Sequence, residues 1–181
     1  GIFQTFTDMI KIFTKECIAP DGADKVVYNL APILSVSAVL LIWAVIPFAP
    51  TVIGTDVNIG VLYIVAVGAA GTLSIIMAGW SSNNKYAMMG GLRASAQMIS
   101  YELGLGLAFI SPILIAGSMR IMDIIRAQAE LGILKWLLLQ PLAPIIFLIA
   151  SVAEVNRAPF DMPEAEQELT AGYHTEYSGM K

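Results

Sequence analysis

The sequence has one cysteine, Cys17, and one histidine, His174. A lone cysteine excludes an internal disulfide, and no Cys/His spacing offers a zinc, haem or iron-sulfur site. Cys17 falls on an apolar helix face, where a small hydrophobe suffices. Charge is scarce as well. Only 13% of the 181 residues are charged, the net charge is -4, and the ten basic residues are scattered, so no basic stripe interleaved with aromatics points to nucleic acid. No charged segment followed by a short apolar run and a cleavage site is recognisable, so insertion into a bilayer is expected to rest on the spans themselves.

What remains is apolar. Hydrophobic residues make up 57% of the chain and its mean hydropathy is +0.73, more than a soluble domain of this size could bury in one core. About 20 apolar residues cross the roughly 30 Å of hydrocarbon in a bilayer. Four segments qualify: Leu30 to Ala49, Ile59 to Trp80, Ala94 to Met119 with Glu102 inside it, and Leu131 to Ala153 with Lys135 near its start. All four are predicted helices, since lipid satisfies no open sheet edge. Ahead of them Ile2, Phe6, Met9, Ile10, Phe13 and Cys17 recur at helical spacing opposite Gln4, Thr5, Asp8, Lys11 and Lys15. Residues 1–17 therefore predict an amphipathic helix, resting on lipid or on a neighbouring protein. The fold class that follows is all-α, a polytopic transmembrane bundle of one domain with an interfacial helix and structured loops.

Four spans put both ends and the Trp80 to Arg93 loop on one side. Lys11, Lys15, Lys25, Lys85, Arg93, Arg157 and Lys181 lie there, against Arg120, Arg126 and Lys135 opposite. The positive-inside rule places that side in the cytoplasm. Pro32, Pro47, Pro112, Pro141 and Pro144, with Gly68, Gly71, Gly104, Gly106 and Gly117, interrupt the spans and are expected to serve helix packing and kinks. The start at Gly1 and the stop at Lys181 inside a polar motif lead us to expect an internal fragment of a longer polypeptide.

Glu102 carries the strongest chemical signal. An ionised carboxylate near mid-membrane costs about 2.5 to 3.5 kcal/mol on insertion scales, so an acid kept there is a candidate proton site; the alternative is a helix-to-helix hydrogen bond, with Gln97, Ser100 or Tyr101 nearby. Glu154 ends the fourth span and opens an acidic segment, 154–181, in which Asp161, Glu164, Glu166, Glu168 and Glu176 alternate with Pro159, Phe160, Pro163, Tyr173 and Tyr177. That mixture suggests a folded polar wall at the membrane surface. Glu164, Glu166 and Glu168 follow Pro163 as a helix start would, where acids also offset the helix dipole. Arg157 is placed to pair with Glu154 across one turn, and His174 reads as a polar contact.

The run Glu154-Val155-Asn156-Arg157-Ala158-Pro159-Phe160-Asp161-Met162-Pro163-Glu164-Ala165-Glu166-Gln167-Glu168-Leu169, continuing through Gly172-Tyr173-His174-Thr175-Glu176-Tyr177-Ser178-Gly179, closely resembles the quinone-chamber membrane subunits of NADH:quinone oxidoreductase, the respiratory complex I family. Trp80-Ser81-Ser82-Asn83-Asn84-Lys85-Tyr86, Gln97-Met98-Ile99-Ser100-Tyr101-Glu102 and Phe13-Thr14-Lys15-Glu16 match the same family. The resemblance covers the whole chain and implies a protein of about eight spans, of which these are the second to fifth.

It implies further that the cytoplasmic loops wall a quinone cavity, here Trp80, Lys85, Arg93, Arg157, Phe160 and Asp161. Glu102, Glu154, Glu164, Glu166 and Glu168 would form the proton path that couples quinone reduction to proton translocation. Quinone would be the substrate, with nothing bound covalently. FMN and iron-sulfur clusters would sit in partner subunits, the partners being other membrane-arm subunits and the hydrophilic arm. The location implied is a prokaryotic cytoplasmic membrane or an organellar inner membrane, with both termini on the cytoplasmic or matrix side. Related subunits of hydrogenases and ferredoxin-linked complexes keep versions of the loop, although the run through Tyr177-Ser178-Gly179 looks more like the quinone-reactive branch. An ion-coupled secondary transporter is a different class, whose usual repeated halves are not detectable; a purely structural anchor is a third.

Overall fold

A computed structural model of the chain describes residues 3–49, 52–155, 160, 172–174 and 176–178. Among these the chain is helical: α1 Gln4–Thr14, α2 Lys25–Trp43, α3 Gly60–Ser81, α4 Lys85–Ala116, α5 Ile121–Leu131, α6 Ile133–Leu139, α7 Leu142–Glu154, and a 3-10 turn, η1, at Gly172–His174. Three of them, α2, α3 and α4, are long and apolar enough to cross a membrane, and α7 is a shorter apolar helix. The fold is thus a polytopic helical membrane bundle. Helix α2 packs on α3, α3 on α4 and α4 on α7, while η1 rests on α4 and α3. Most large apolar side chains of α2 and α7 stay exposed, as they do where lipid or a neighbouring protein replaces water.

Helix starts and stops follow local chemistry. Asp24 Oδ1 accepts from the backbone N–H groups of Val26 and Val27 at 3.1 and 3.4 Å, which satisfies donors that a helix start leaves open. Helix α2 therefore begins before Leu30, where hydropathy alone starts it. It also ends before Ala49, because Pro47 disfavours helical backbone at the residue preceding it. The exposed Ala44 carbonyl beyond its end accepts from Thr55 N at 2.9 Å.

Two expectations need correction. The segment from Trp80 to Arg93 is not a loop: α4 starts at Lys85, capped by Asn84, whose side chain accepts from Tyr86 N at 3.0 Å. Small residues drive that extension. Ala87, Gly90, Gly91 and Ala94 are buried, and a Cβ added at Gly79 of α3 would stand 2.8 Å from the Ala87 carbonyl oxygen, so α3 and α4 cross almost backbone to backbone. The glycines singled out from the spans behave differently. A Cβ at Gly68, Gly71, Gly104 or Gly106 meets nothing within 4 Å.

The fourth predicted span, Leu131 to Ala153, is not one continuous helix. Pro141 lacks a backbone N–H and pushes Gln140 out of helical geometry, to φ -141 and ψ 63, which separates α6 from α7. The pair still runs along the bundle. Trp136 of α6 is buried with Val61 at the start of α3 and Ile124 of α5, whereas Glu154 at the end of α7 lines a cleft with Tyr173 and Tyr177. The amphipathic α1 ends at Thr14, before Cys17, and buries none of its residues, so its apolar side has no partner among the described residues.

Candidate functional site

Helix α4 brings Glu102 against α3. At 1.5 Å per residue the carboxylate sits about 26 Å along α4 from Lys85, deep in the apolar stretch. There Thr72 Oγ1 donates to Glu102 Oε1 at 2.8 Å. Thr72 is 4% exposed and Glu102 half-buried, so the hydroxyl end of the bond lies inside the helix interface, where an unpaired polar group would be expensive. Glu154 is near enough to Glu102 to feel its charge. It also forms part of a cleft of about 450 Å³, whose wall includes Ser35, Gly71, Ser74, Met98, Tyr173 and Tyr177.

One turn before Glu102, α4 receives the start of the acidic segment. Gln97 Nε2 donates to the Phe160 carbonyl oxygen at 2.8 Å. The Phe160 ring meets Tyr101 edge-on, with centroids 5.3 Å apart and planes at 69°. A second anchor holds the far part of the segment. Tyr28, almost fully buried, stacks on Tyr177 at 4.2 Å with planes 7° apart. Its hydroxyl donates to the Glu176 carbonyl oxygen at 2.7 Å, and the Tyr177 hydroxyl donates to the Tyr28 carbonyl oxygen at 3.1 Å. Asn84, already the cap of α4, donates through Nδ2 to Glu176 Oε1 at 2.7 Å. Ser178 Oγ accepts from Ile18 N at 3.0 Å and donates to the Glu16 carbonyl oxygen at 3.2 Å. Burial pushes the Tyr177 phenol above its ordinary range, against a lowering hydrogen bond with Ser81, so it remains a neutral donor at physiological pH.

The structure brings together Glu102, Glu154 and Phe160, three of the residues singled out from the sequence. Trp80, Lys85 and Arg93 are exposed around the α3–α4 turn and the first turns of α4. Arg157, Asp161, Glu164, Glu166 and Glu168 lie outside the described residues, as does the side chain of His174. Among the described residues no three His, Cys, Asp or Glu side chains gather as a metal site would require.

Thr72 and Tyr28 take part without having been marked by the sequence, and Asn84 and Gln97, quoted there within motifs, act as anchors that it did not assign. Thr72 could have been suspected as one of the few hydroxyls in a span without charge. Tyr28 could not, since an aromatic at the edge of a span reads equally as an interfacial anchor. Replacing Tyr28 by Phe keeps the stack and deletes the bond to Glu176. It is expected to cost about 1 kcal/mol and to show as faster proteolysis between residues 155 and 176 of the assembled protein, with an unchanged cleavage rate counting against the anchor.

The model of a family described as NADH dehydrogenase matches residues 1–181. The chain is similar to a protein of Rhodospirillum centenum named as a subunit of NADH-quinone oxidoreductase, 48% identical over 99% of this chain and 53% of that protein. A protein of the same name from Pelagibacter ubique is likewise 48% identical, covering 99% of this chain and 53% of its own length. One from Geobacillus kaustophilus, also so named, is 47% identical over 100% of this chain and 54% of its own. The chain spans about half the length of these curated relatives.

Proposed function

The chain belongs to the NADH dehydrogenase family, and from that premise we propose that it forms part of the membrane arm of a multi-subunit NADH-quinone oxidoreductase. Its loops wall the quinone cavity, and the acids of its apolar helices, Glu102 and Glu154, lead protons from that cavity into the membrane. The observation that carries this reading is Glu102: a carboxylate deep in a 32-residue apolar helix, hydrogen-bonded across to α3 and within electrostatic reach of Glu154. Hydrocarbon tolerates such an acid at a cost that a purely structural role does not require.

Reduction of a quinone to a quinol takes up two electrons and two protons. The electrons come from an iron-sulfur cluster held by a partner protein of the complex, and FMN belongs to the input arm; a chain with one cysteine and one histidine has no ligand set for a cluster of its own. As charge builds on the quinone, carboxylates around it gain protons or change partners. The contacts of Phe160 with Gln97 and with Tyr101, the residue before Glu102, support a cavity wall close to that acid. Trp80, Lys85 and Arg93 continue that wall, and the resemblance adds Arg157 and Asp161. The resemblance puts Glu164, Glu166 and Glu168 in the same proton path, together with Glu154 and Glu102.

In this arrangement α6 and α7 supply a fourth, broken passage through the bilayer, which returns Glu154 to the same side as α1 and the α3–α4 turn. That side is the cytoplasm or the matrix. The quinone in the relatives' name favours this function over a hydrogenase or ferredoxin-linked complex. A photoreactive quinone analogue applied to the intact complex tests it. Labelling is expected within residues 80–93 or at 157–161, competed by excess quinone; labelling confined to the α1 surface or to the α5–α6 end sinks the cavity assignment.

A further inference from the structure

We infer that Thr72 is the positioning residue for Glu102, holding its carboxyl in one orientation through both protonation states; this rests on the proton-path reading above. Hydroxyls in apolar helices usually turn back to a carbonyl of their own helix. In this chain Ser37, Ser74, Ser81, Ser95 and Ser100 all do so. Thr72 departs from them. Its Oγ1 reaches across the α3–α4 interface to Glu102 Oε1 at 2.8 Å, from a site 4% exposed.

A hydroxyl suits that position because it carries one proton and free lone pairs. Towards ionised Glu102 it donates, as the geometry has it; towards protonated Glu102 it rotates and accepts. The carboxyl therefore keeps its partner when its charge changes, which a fixed donor such as a backbone N–H could not offer. The neighbours of Thr72 on α3 fit the same purpose. Gly71 and Ser74 line the cleft that Glu154 also lines, and a Cβ at Gly71 would meet nothing within 4 Å, so α3 leaves that cleft open next to the residue that carries the hydroxyl.

The test compares Thr72→Val and Thr72→Ser in the intact complex. Val keeps the shape and removes the hydroxyl, whereas Ser keeps the hydroxyl. Two readouts are taken: coupled quinone reduction, and the infrared carboxyl band of Glu102, identified by its loss in Glu102→Gln. Thr72→Val is expected to slow coupled turnover about tenfold, the equivalent of losing one charge-assisted hydrogen bond, and to shift the Glu102 band. Thr72→Ser is expected to restore most of both. A band unmoved in Thr72→Val overturns the inference, as does equal loss in the two variants, which marks a packing role. Full coupled activity in Glu102→Gln would instead overturn the proton-path reading while leaving the band comparison to decide the role of Thr72.

Discussion

Exchanging Glu102 for Gln is expected to abolish coupled proton translocation while leaving the complex assembled. The amide has nearly the same shape, and its Oε1 still accepts from Thr72 Oγ1, so the helix interface at 2.8 Å survives. What it loses is the ability to take up and release a proton. Positioned acid-base groups contribute a factor on the order of 10² to 10⁴, and quinone-coupled turnover and pumping in reconstituted vesicles should fall by at least the lower figure. Electron transfer from the input arm to an artificial acceptor should be unaffected. Stability should hold or rise, because a neutral amide avoids the insertion cost of about 2.5 to 3.5 kcal/mol that a charged acid carries. A variant that pumps and reduces quinone at the normal rate would show that Glu102 is a packing residue, and the proposed path would fail with it.

The second large effect is expected at Gly90. A Cβ there would lie 2.6 Å from Gly172 Cα and 2.8 Å from Tyr173 N. Both are backbone atoms, so no side chain can swing aside. Gly90→Ala must either push α4 from its place or lift η1, and overpacking of this kind costs about 1 to 3 kcal/mol. Lifting η1 also pulls on the Tyr28–Tyr177 stack and the Asn84–Glu176 bond next to it. If the proposed quinone cavity lies there, the expected outcome is faster thermal inactivation of quinone reduction and faster proteolysis of the segment after Glu154. Gly104→Ala is the matched control. It lies in the same helix with nothing within 4 Å of its added Cβ, and is expected to be neutral or to stabilise by about 0.5 to 1 kcal/mol through reduced chain entropy. Equal behaviour of the two variants would mean that the close approach at Gly90 is not held in solution.

Much of the architecture was legible in the residues because its cause is local. Long apolar runs specify α2, α3 and α4, and α3 matches its hydropathy segment almost to the residue. Glu102 stood out for the same reason, as a charge where charge is costly. The start of α4 was hidden because Asn83, Asn84, Gly90 and Gly91 read as loop composition, whereas Asn84 caps a helix, Gly91 allows α3 to approach and Gly90 makes room for η1. The break at Gln140 was signalled by Pro141 but outweighed by the apolar run around it.

Partnerships between distant residues left no such trace. Thr72 and Glu102 are 30 positions apart, and Tyr28 and Glu176 are 148 apart. Periodicity reports which face of a helix is apolar, not which residue of another helix it meets. The acids beyond Phe160 were prominent in the sequence, yet Glu164, Glu166 and Glu168 fall outside the described residues, so their place in the path rests on the resemblance.

Helix α4 has 32 residues, about 48 Å at 1.5 Å per residue, against roughly 30 Å of hydrocarbon. It therefore stands well proud of the bilayer as a single stiff rod. Gly90, where η1 presses on it, and Glu102, where the buried acid sits, are stations on that rod with no proline between them; the first comes only at Pro112. A rotation of α4 imposed at its first turns by the docked η1 would carry Glu102 with it, and with it the aim of Oε1 at the α3 hydroxyl. The proposed cavity wall and the proposed proton site are for that reason carried on one helix.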